Sequence, residues 1–533
     1  MEVRAPEPTR SRFPPWLVWL LFAGVAGLII AAIIGATVNS SDRGDPGRLA
    51  EPLYDWPGSL PQFVDVTEQW GVDAWVPQPV RNLSGAVAIG DLDGDGRNDV
   101  IVASGSVAIF FGGDAGLAMA GGVDISEAVA VGLGDLDNDG ILELIIGRAA
   151  ATDLVVWGGT WVTDRDLSIA EITEVPSGLP STGFAVADLN GDDINDLLRI
   201  GYGSDSAPAA DVVFVHDGAR SLEARELPQS RRLSLAFELG DFDRDGLIDI
   251  WITRDVGWIS GGDSVYSRRG DVGGEWADVA AELGVASEID GMGVTVADLS
   301  GDGQLDAYVS DVGENEFFVG GVEGYLAARD HGAGYIRAGE APPTVVSSSW
   351  GTGVADFNLD GLTDLAVANG GFEGMTNKIK DTDIAISDRP ALLLGLGEGR
   401  YADVWPDVAP LHPASWRGLA IGDLDSDGDS DLALLDYSGG LVIYRNDIAA
   451  PSLVVSSSCR GAGAVVRVDV AGRSLVHPLV GHTFLGRHAA EVIVGTGGAT
   501  SAGVTVEWPG GATFSADVVI DGLRDSLKVP CPG

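Results

Sequence analysis

Positive charge is scarce in this sequence. Lys and Arg together number 32, only 3 of them Lys, against 79 Asp and Glu, so the formal net charge is −47. A chain of that sign repels phosphate backbones, which argues against nucleic acid as a partner. Cysteine is scarcer still: Cys459 and Cys531 are the whole complement, and no C-x-x-C pair exists. The G-x-S-x-G elbow, the Walker G-x-x-x-x-G-K-[ST] and H-E-x-x-H are absent as well. Without these signatures no catalytic residue is assigned, and the expectation is a protein that is not an enzyme. Among the six histidines, only His477, His482 and His488 lie close together. Their spacings of five and six allow at most alternating faces, so they read as strand and loop histidines and not as a zinc or copper site. Disorder is excluded too, because 45% of residues are apolar and the apolar runs recur regularly.

What the chain has in excess is aspartate at fixed spacing. In "GDLDGDGRND", residues 90–99, Asp91, Asp93, Asp95 and Asp99 stand at positions 1, 3, 5 and 9, and the carbonyl of Arg97 falls at position 7. Gly96, at position 6, can make a sharp turn with positive φ. A hard cation with roughly six to eight oxygen ligands asks for carboxylates from alternate residues around such a turn. A helical calcium hand would add a Glu at position 12 and amphipathic flanks; here the flanks are "AVAI" and "VIVA", which are strand-like. The loop is therefore expected to cap a β-hairpin.

The pattern returns six times, the fourth residue of each set supplying its carbonyl. The sets are Asp135, Asp137, Asp139, Ile141 and Glu143; Asp188, Asn190, Asp192, Ile194 and Asp196; and Asp241, Asp243, Asp245, Leu247 and Asp249. Then come Asp298, Ser300, Asp302, Gln304 and Asp306; Asp356, Asn358, Asp360, Leu362 and Asp364; and Asp423, Asp425, Asp427, Asp429 and Asp431. Up to seven Ca²⁺ ions are expected. The third loop, with Asp193 at the turn position, and the second, which ends in the longer Glu143, are expected to bind least tightly.

Only one long uncharged apolar run occurs, the 23 residues from Trp16 to Val38, enough to cross roughly 30 Å of hydrocarbon. Arg4, Arg10 and Arg12 precede it, so the positive-inside rule puts residues 1–15 in the cytoplasm, 16–38 in the membrane as a single pass, and a stalk of 39–51 with all that follows outside. A cleaved signal peptide, leaving a secreted protein, is the alternative. Cys459 and Cys531 suit that oxidising compartment, either as a disulfide or as two buried thiols; a bridge closing that long loop would contribute ~4 kcal/mol.

Successive loops start 44, 53, 53, 57, 58 and 67 residues apart, a period for one four-stranded antiparallel unit. "WADV" at 276 and "YADV" at 401 read as fourth strands, while the seventh unit lacks one before Pro451. "FVDVT" at 63–67 is expected to supply it and close a ring. Residues 52–450 resemble FG-GAP, or VCBS-type, propeller repeats; "SSWGTGVADFNLDGLTDLAVANGG" and "RGLAIGDLDSDGDSDLALL" are similar to the cartilage acidic protein family. "GAGAVVRVDVAGRS" and "SAGVTVEWPGGATFS", within 451–533, resemble the ASPIC/UnbV domain, whereas "HPLVGHTFLGRHAAEVIVGTG" between them departs from it. The resemblance implies an all-β chain: a seven-bladed propeller with structural calcium, then a small β-domain. It also implies an extracellular adhesion or ligand-binding module, with a protein or glycan partner bound mainly away from the metal loops. An envelope assembly scaffold and a surface polysaccharide-degrading enzyme are the alternatives.

Overall fold

In a computed structural model, residues 59–531 are described apart from 79, 81–84, 121–122, 178–179, 204–209, 229–232, 271–272, 288, 323, 328–334, 337–344, 372–375, 378–381, 385–386, 411 and 458–461. Trp56–Gly533 forms one compact unit. The cytoplasmic segment, membrane span and stalk expected from the sequence lie outside the described residues, and among those described no helix is long and apolar enough to cross a membrane.

Every acidic loop joins two antiparallel strands, as the β-branched flanks require. The second strand begins at the loop's ninth residue. Gly90 faces Asp99, Gly134 faces Glu143, Ala187 faces Asp196 and Gly240 faces Asp249. Ala297 faces Asp306, Ala355 faces Asp364 and Gly422 faces Asp431. A small residue thus always sits opposite the acid, and the turn has one register throughout.

Third and fourth strands complete the units. The first three residues of "WADV" lie in Glu275–Asp278, paired with Ser264–Arg269, and those of "YADV" in Arg400–Asp403, paired with Ala391–Gly397. Phe63–Asp65 pairs antiparallel with Leu441–Asn446, Phe63 opposite Asn446, so the start of the described chain completes the last unit. The loop-bearing strands Ala86–Gly90, Val123–Gly134, Ser181–Ala187, Ser234–Gly240, Val294–Ala297, Ser349–Ala355 and Trp416–Gly422 contact one another in that order, and the last contacts the first. The architecture is an all-β propeller.

Adjacent units are also joined by buried ion pairs that the repeat pattern does not announce. Asp153, at the start of one unit's third strand, accepts from Ser181 Oγ (2.6 Å) and Arg199 Nε (3.1 Å) of the next. One unit further on, Asp211 meets Ser234 and Arg254 in the same way, at 2.8 and 3.3 Å. Each fully buried carboxylate is satisfied by hydroxyl and guanidinium together, as burial of charge demands.

The C-terminal segment folds as two small sheets over one apolar core that includes Val455, Val466, Val468, Val494 and Val504. Cys531 is disulfide-bonded, and Cys459, the chain's other cysteine, lies outside the described residues. Between strands Arg473–Pro478 and Glu491–Gly495 the chain leaves this domain and enters the centre of the ring. There His482–Thr483 pairs with Gly486–Arg487, and Val87 and Ala88 run parallel to Gly486 and Arg487. Phe484 and Leu485 join the same apolar cluster as Ala88, Val131, Leu235 and Met292. This is the stretch that departs from the ASPIC/UnbV pattern. The ring and the C-terminal domain, read as separate segments in the sequence, are built as one compact unit.

Candidate metal centres

One hydrogen-bond scheme holds all seven loops. The N–H of position 6 donates to Oδ2 of position 1 at 2.7–3.1 Å. That of position 7 donates to Oδ1 of position 5 at 2.8–3.2 Å, so Asp95, Asp139, Asp192, Asp245, Asp302, Asp360 and Asp427 each brace the turn. The carboxylate of position 9 accepts from the N–H of position 2 at 2.5–3.2 Å. In six loops its other oxygen accepts an N–H from the third strand or from one or two residues past its end, at 2.8–3.0 Å, pinning that strand to the loop.

The turn takes left-handed backbone twice, at position 6 as anticipated and also at position 4. Position 4 is Gly94, Asn138, Gly191, Arg244, Gly301, Leu359 and Ser426, with φ from 53° to 80°. Asp193 at position 6 adopts φ 68° and keeps the hydrogen bond that glycine makes elsewhere. For Leu359 and Arg244 this conformation costs about 1 kcal/mol each, which the cation and the fixed register would have to offset.

Positions 1, 3 and 9 converge where all three are acidic. Asp91, Asp93 and Asp99; Asp135, Asp137 and Glu143; Asp241, Asp243 and Asp249; and Asp423, Asp425 and Asp431 each bring one oxygen within 4.8 Å of the others. Glu143 joins its triad despite its extra methylene. In the third, fifth and sixth loops position 3 is Asn190, Ser300 or Asn358; Asn190 and Asn358 turn their amide nitrogens onto Asp192 and Asp360, at 3.0 and 3.1 Å.

Several loop oxygens are buried with no hydrogen-bond partner: Asp91 and Asp241 Oδ1 at position 1, and Asp137 Oδ1, Asp425 Oδ1, Asn190 Oδ1 and Ser300 Oγ at position 3. A buried acceptor left unsatisfied costs ~1–3 kcal/mol, more when charged, and a hard cation would remove that cost with oxygen ligands alone. Burial, reinforced by neighbouring carboxylates, raises Asp99, Asp196 and Asp423 to about 7 and Glu143 and Asp249 to about 8.

Sequence reasoning missed the basic residues that grip the loops. Arg165 reaches Asp93 (2.8 Å), and Arg220 reaches Asp137 (2.7 Å), each from the unit after the loop. The C-terminal domain adds Arg524 on Asp423 (3.0 Å) and Arg473 on Asp360 (3.3 Å), with Gly495 N–H on Asp356 (2.8 Å). Glu491 accepts from Asn98 Nδ2 (2.7 Å) and from Asp423 N–H (2.8 Å). The loop face is therefore where the chain's own C-terminal domain docks. No spacing rule marks these contacts, because they join residues up to 393 positions apart.

The three clustered histidines serve that docking. His477 Nε2 lies 2.9 Å from Thr363 Oγ1, His482 N–H donates to Glu238 (2.9 Å), and His488 Nδ1 accepts from Ile421 N–H (3.1 Å). Burial pushes each imidazole down to about 3, so all three are neutral. Among the described residues they form no three-ligand cluster.

The class this geometry defines is a β-propeller with repeated acidic hairpin loops. Consistent with it, the family model for the FG-GAP-like repeat matches residues 91–146 and 241–309. No curated protein sequence matches. Among solved structures, the chain is similar to the BP39L lectin from Burkholderia pseudomallei (15% identity, 68% of this chain and 96% of that one, TM-score 0.44). It is also similar to BBS1N crystallised in complex with ARL6DN (13%, 73% and 98%, TM-score 0.42) and to the V. cholerae biofilm matrix protein Bap1 (14%, 84% and 75%, TM-score 0.31).

Proposed function

We propose that the chain is a non-catalytic binding protein: one closed seven-bladed propeller, held by calcium in its hairpin loops and locked by its C-terminal domain, displayed outside the cell on the 16–38 anchor. The observation that carries this reading is the single hydrogen-bond scheme repeated in seven loops, with buried loop oxygens lacking partners. Asp91, Asp93 and Asp99, and their counterparts at positions 1, 3 and 9, would hold the ion, which replaces repulsion among carboxylates with shared coordination. Support for seven blades comes from the cyclic contacts of the loop-bearing strands and from the Phe63–Asp65 closure.

Calorimetric calcium titration of the detergent-solubilised full chain, with melting followed in parallel, tests it. Several ions per chain with dissociation constants of roughly 10⁻⁴ to 10⁻³ M, and a melt raised by calcium, are expected. Absence of binding with an unchanged melt would overturn the metal reading. Protease protection of residues 1–15 in sealed inverted vesicles would overturn the proposed topology.

A further inference from the structure

Between the loop face and the C-terminal domain lies a cavity of about 460 Å³, within the range of roughly 300–1,000 Å³ typical of small-molecule sites. One wall is the first two acidic loops with Asn195; the other is Ser456 and Ser526 on the C-terminal sheet, with Lys528 beside them. Arg487, from the hairpin at the ring's centre, lines it too.

Like Arg268, Arg487 is a nearly buried arginine with no ion pair among the described residues; unlike Arg268, it lines the cavity. It is only 6% exposed, its Nη1 donates to the carbonyls of Ile89 (2.9 Å) and His488 (3.3 Å), and its Nε has no partner. No carboxylate pairs with it among the described residues, in a chain with 79 acids. Arg199 and Arg254, buried to a similar degree, each have an aspartate. A buried guanidinium without a counter-charge is costly unless something anionic meets it. Across the cavity Asn195, 1% exposed, donates its amide to Asp135 O (2.6 Å) and leaves Oδ1 without a donor. The site thus offers one buried positive charge, one buried acceptor and the hydroxyls of Ser456, Ser457 and Ser526, with Arg524 and Lys528 on the C-terminal wall. Asp91, Asp135 and Glu491 offset Arg524 and Lys528 along the walls and disfavour a second negative charge.

We infer that this cavity binds a ligand with one carboxylate and several hydroxyls, an acidic sugar residue of the hexuronate class, with Arg487 taking the carboxylate and Asn195 a hydroxyl. The inference rests on the binding-protein reading and gives it a site and a ligand class.

The test is titration of the calcium-saturated full chain with D-galacturonate, D-galactose and inorganic phosphate in parallel. Galacturonate is expected to bind one to one, at least roughly tenfold more tightly than either of the others, which is what one charge-assisted hydrogen bond supplies. Arg487→Met should weaken it by about the same factor. Because that variant loses two backbone contacts, Ser526→Glu is the second: on an exposed strand position it places a carboxylate at the cavity wall, and it should abolish galacturonate binding with an unchanged melt. Equal affinity for galactose, tighter binding of phosphate, no binding at all, or undiminished binding by Ser526→Glu would overturn the inference. A chain that binds calcium and no galacturonate loses this site alone; one that binds galacturonate and no calcium loses only the metal reading.

Discussion

Glu238 is fully buried on the loop-bearing strand Ser234–Gly240 and meets the hairpin that fills the ring, accepting from the N–H of His482. Burial raises its carboxyl from 4.5 to about 8. A group that holds its proton in the fold at a pH where the unfolded chain releases it costs stability as pH rises: the fold is unaffected below about 4.5 and progressively weakened up to about 8. At about 1.4 kcal/mol per pH step, the cost is about 2 kcal/mol at pH 6 and about 4 kcal/mol at pH 8. Glu238→Gln keeps an acceptor for the His482 N–H and removes the ionisation. Urea unfolding in saturating calcium should therefore give equal stability for variant and wild type at pH 4.5, with the variant ahead by those amounts at pH 6 and 8. Glu238→Ala should instead lose about 2–4 kcal/mol at low pH, from the unpaired N–H and the cavity. If Glu238→Gln follows the wild type across the range, the carboxyl is not protonated in the fold and the reasoning fails.

The ring's central hairpin is closely fitted: a Cβ on Gly486 would stand 2.0 Å from the carbonyl oxygen of Leu419. Gly486→Ala should cost more than about 2 kcal/mol and loosen the C-terminal domain, read as faster amide exchange across 452–495. His477, His482 and His488 have values pushed below their ordinary 6.5, so they remain neutral in the fold and stability should fall as pH drops from 6.5 toward 3; replacing His477 by Gln should flatten that limb of a pH–stability curve. Calcium binding should release protons from the loops near pH 7, because Asp99, Asp196, Asp423 and their counterparts are raised without it. Calorimetry in two buffers of different ionisation heat would show this as different apparent enthalpies. Asp99→Asn should weaken the first site roughly tenfold or more, while Asp95→Asn, whose partner is the Arg97 N–H, should mainly loosen the turn.

Short-range pattern made the hairpins and their loops legible. Alternating carboxylates around a turn glycine, between Val- and Ile-rich runs, led to each first strand, each second strand, and the strand at 63 that completes the last unit. Those features depend on residues within a dozen positions or on a repeat that counts itself. The left-handed residue at position 4 was not readable, since Leu359, Arg244 and Ser426 share no chemistry that marks it.

Contacts between distant segments were beyond reach. "HPLVGHTFLGRHAAE" departs from the pattern around it, and only the tertiary structure gives the reason: these residues leave their own domain and become the apolar centre of the ring. The same holds for the docking of the C-terminal domain on the loops. What the sequence determined by itself is what local spacing enforces: a repeated hairpin loop of hard oxygen ligands in an all-β chain. Which arginine grips which loop, what fills the ring, and why Arg487 lies buried without an acid were decided only when strands hundreds of residues apart came together, because burial and pairing belong to the assembled packing and leave no periodic trace along the chain.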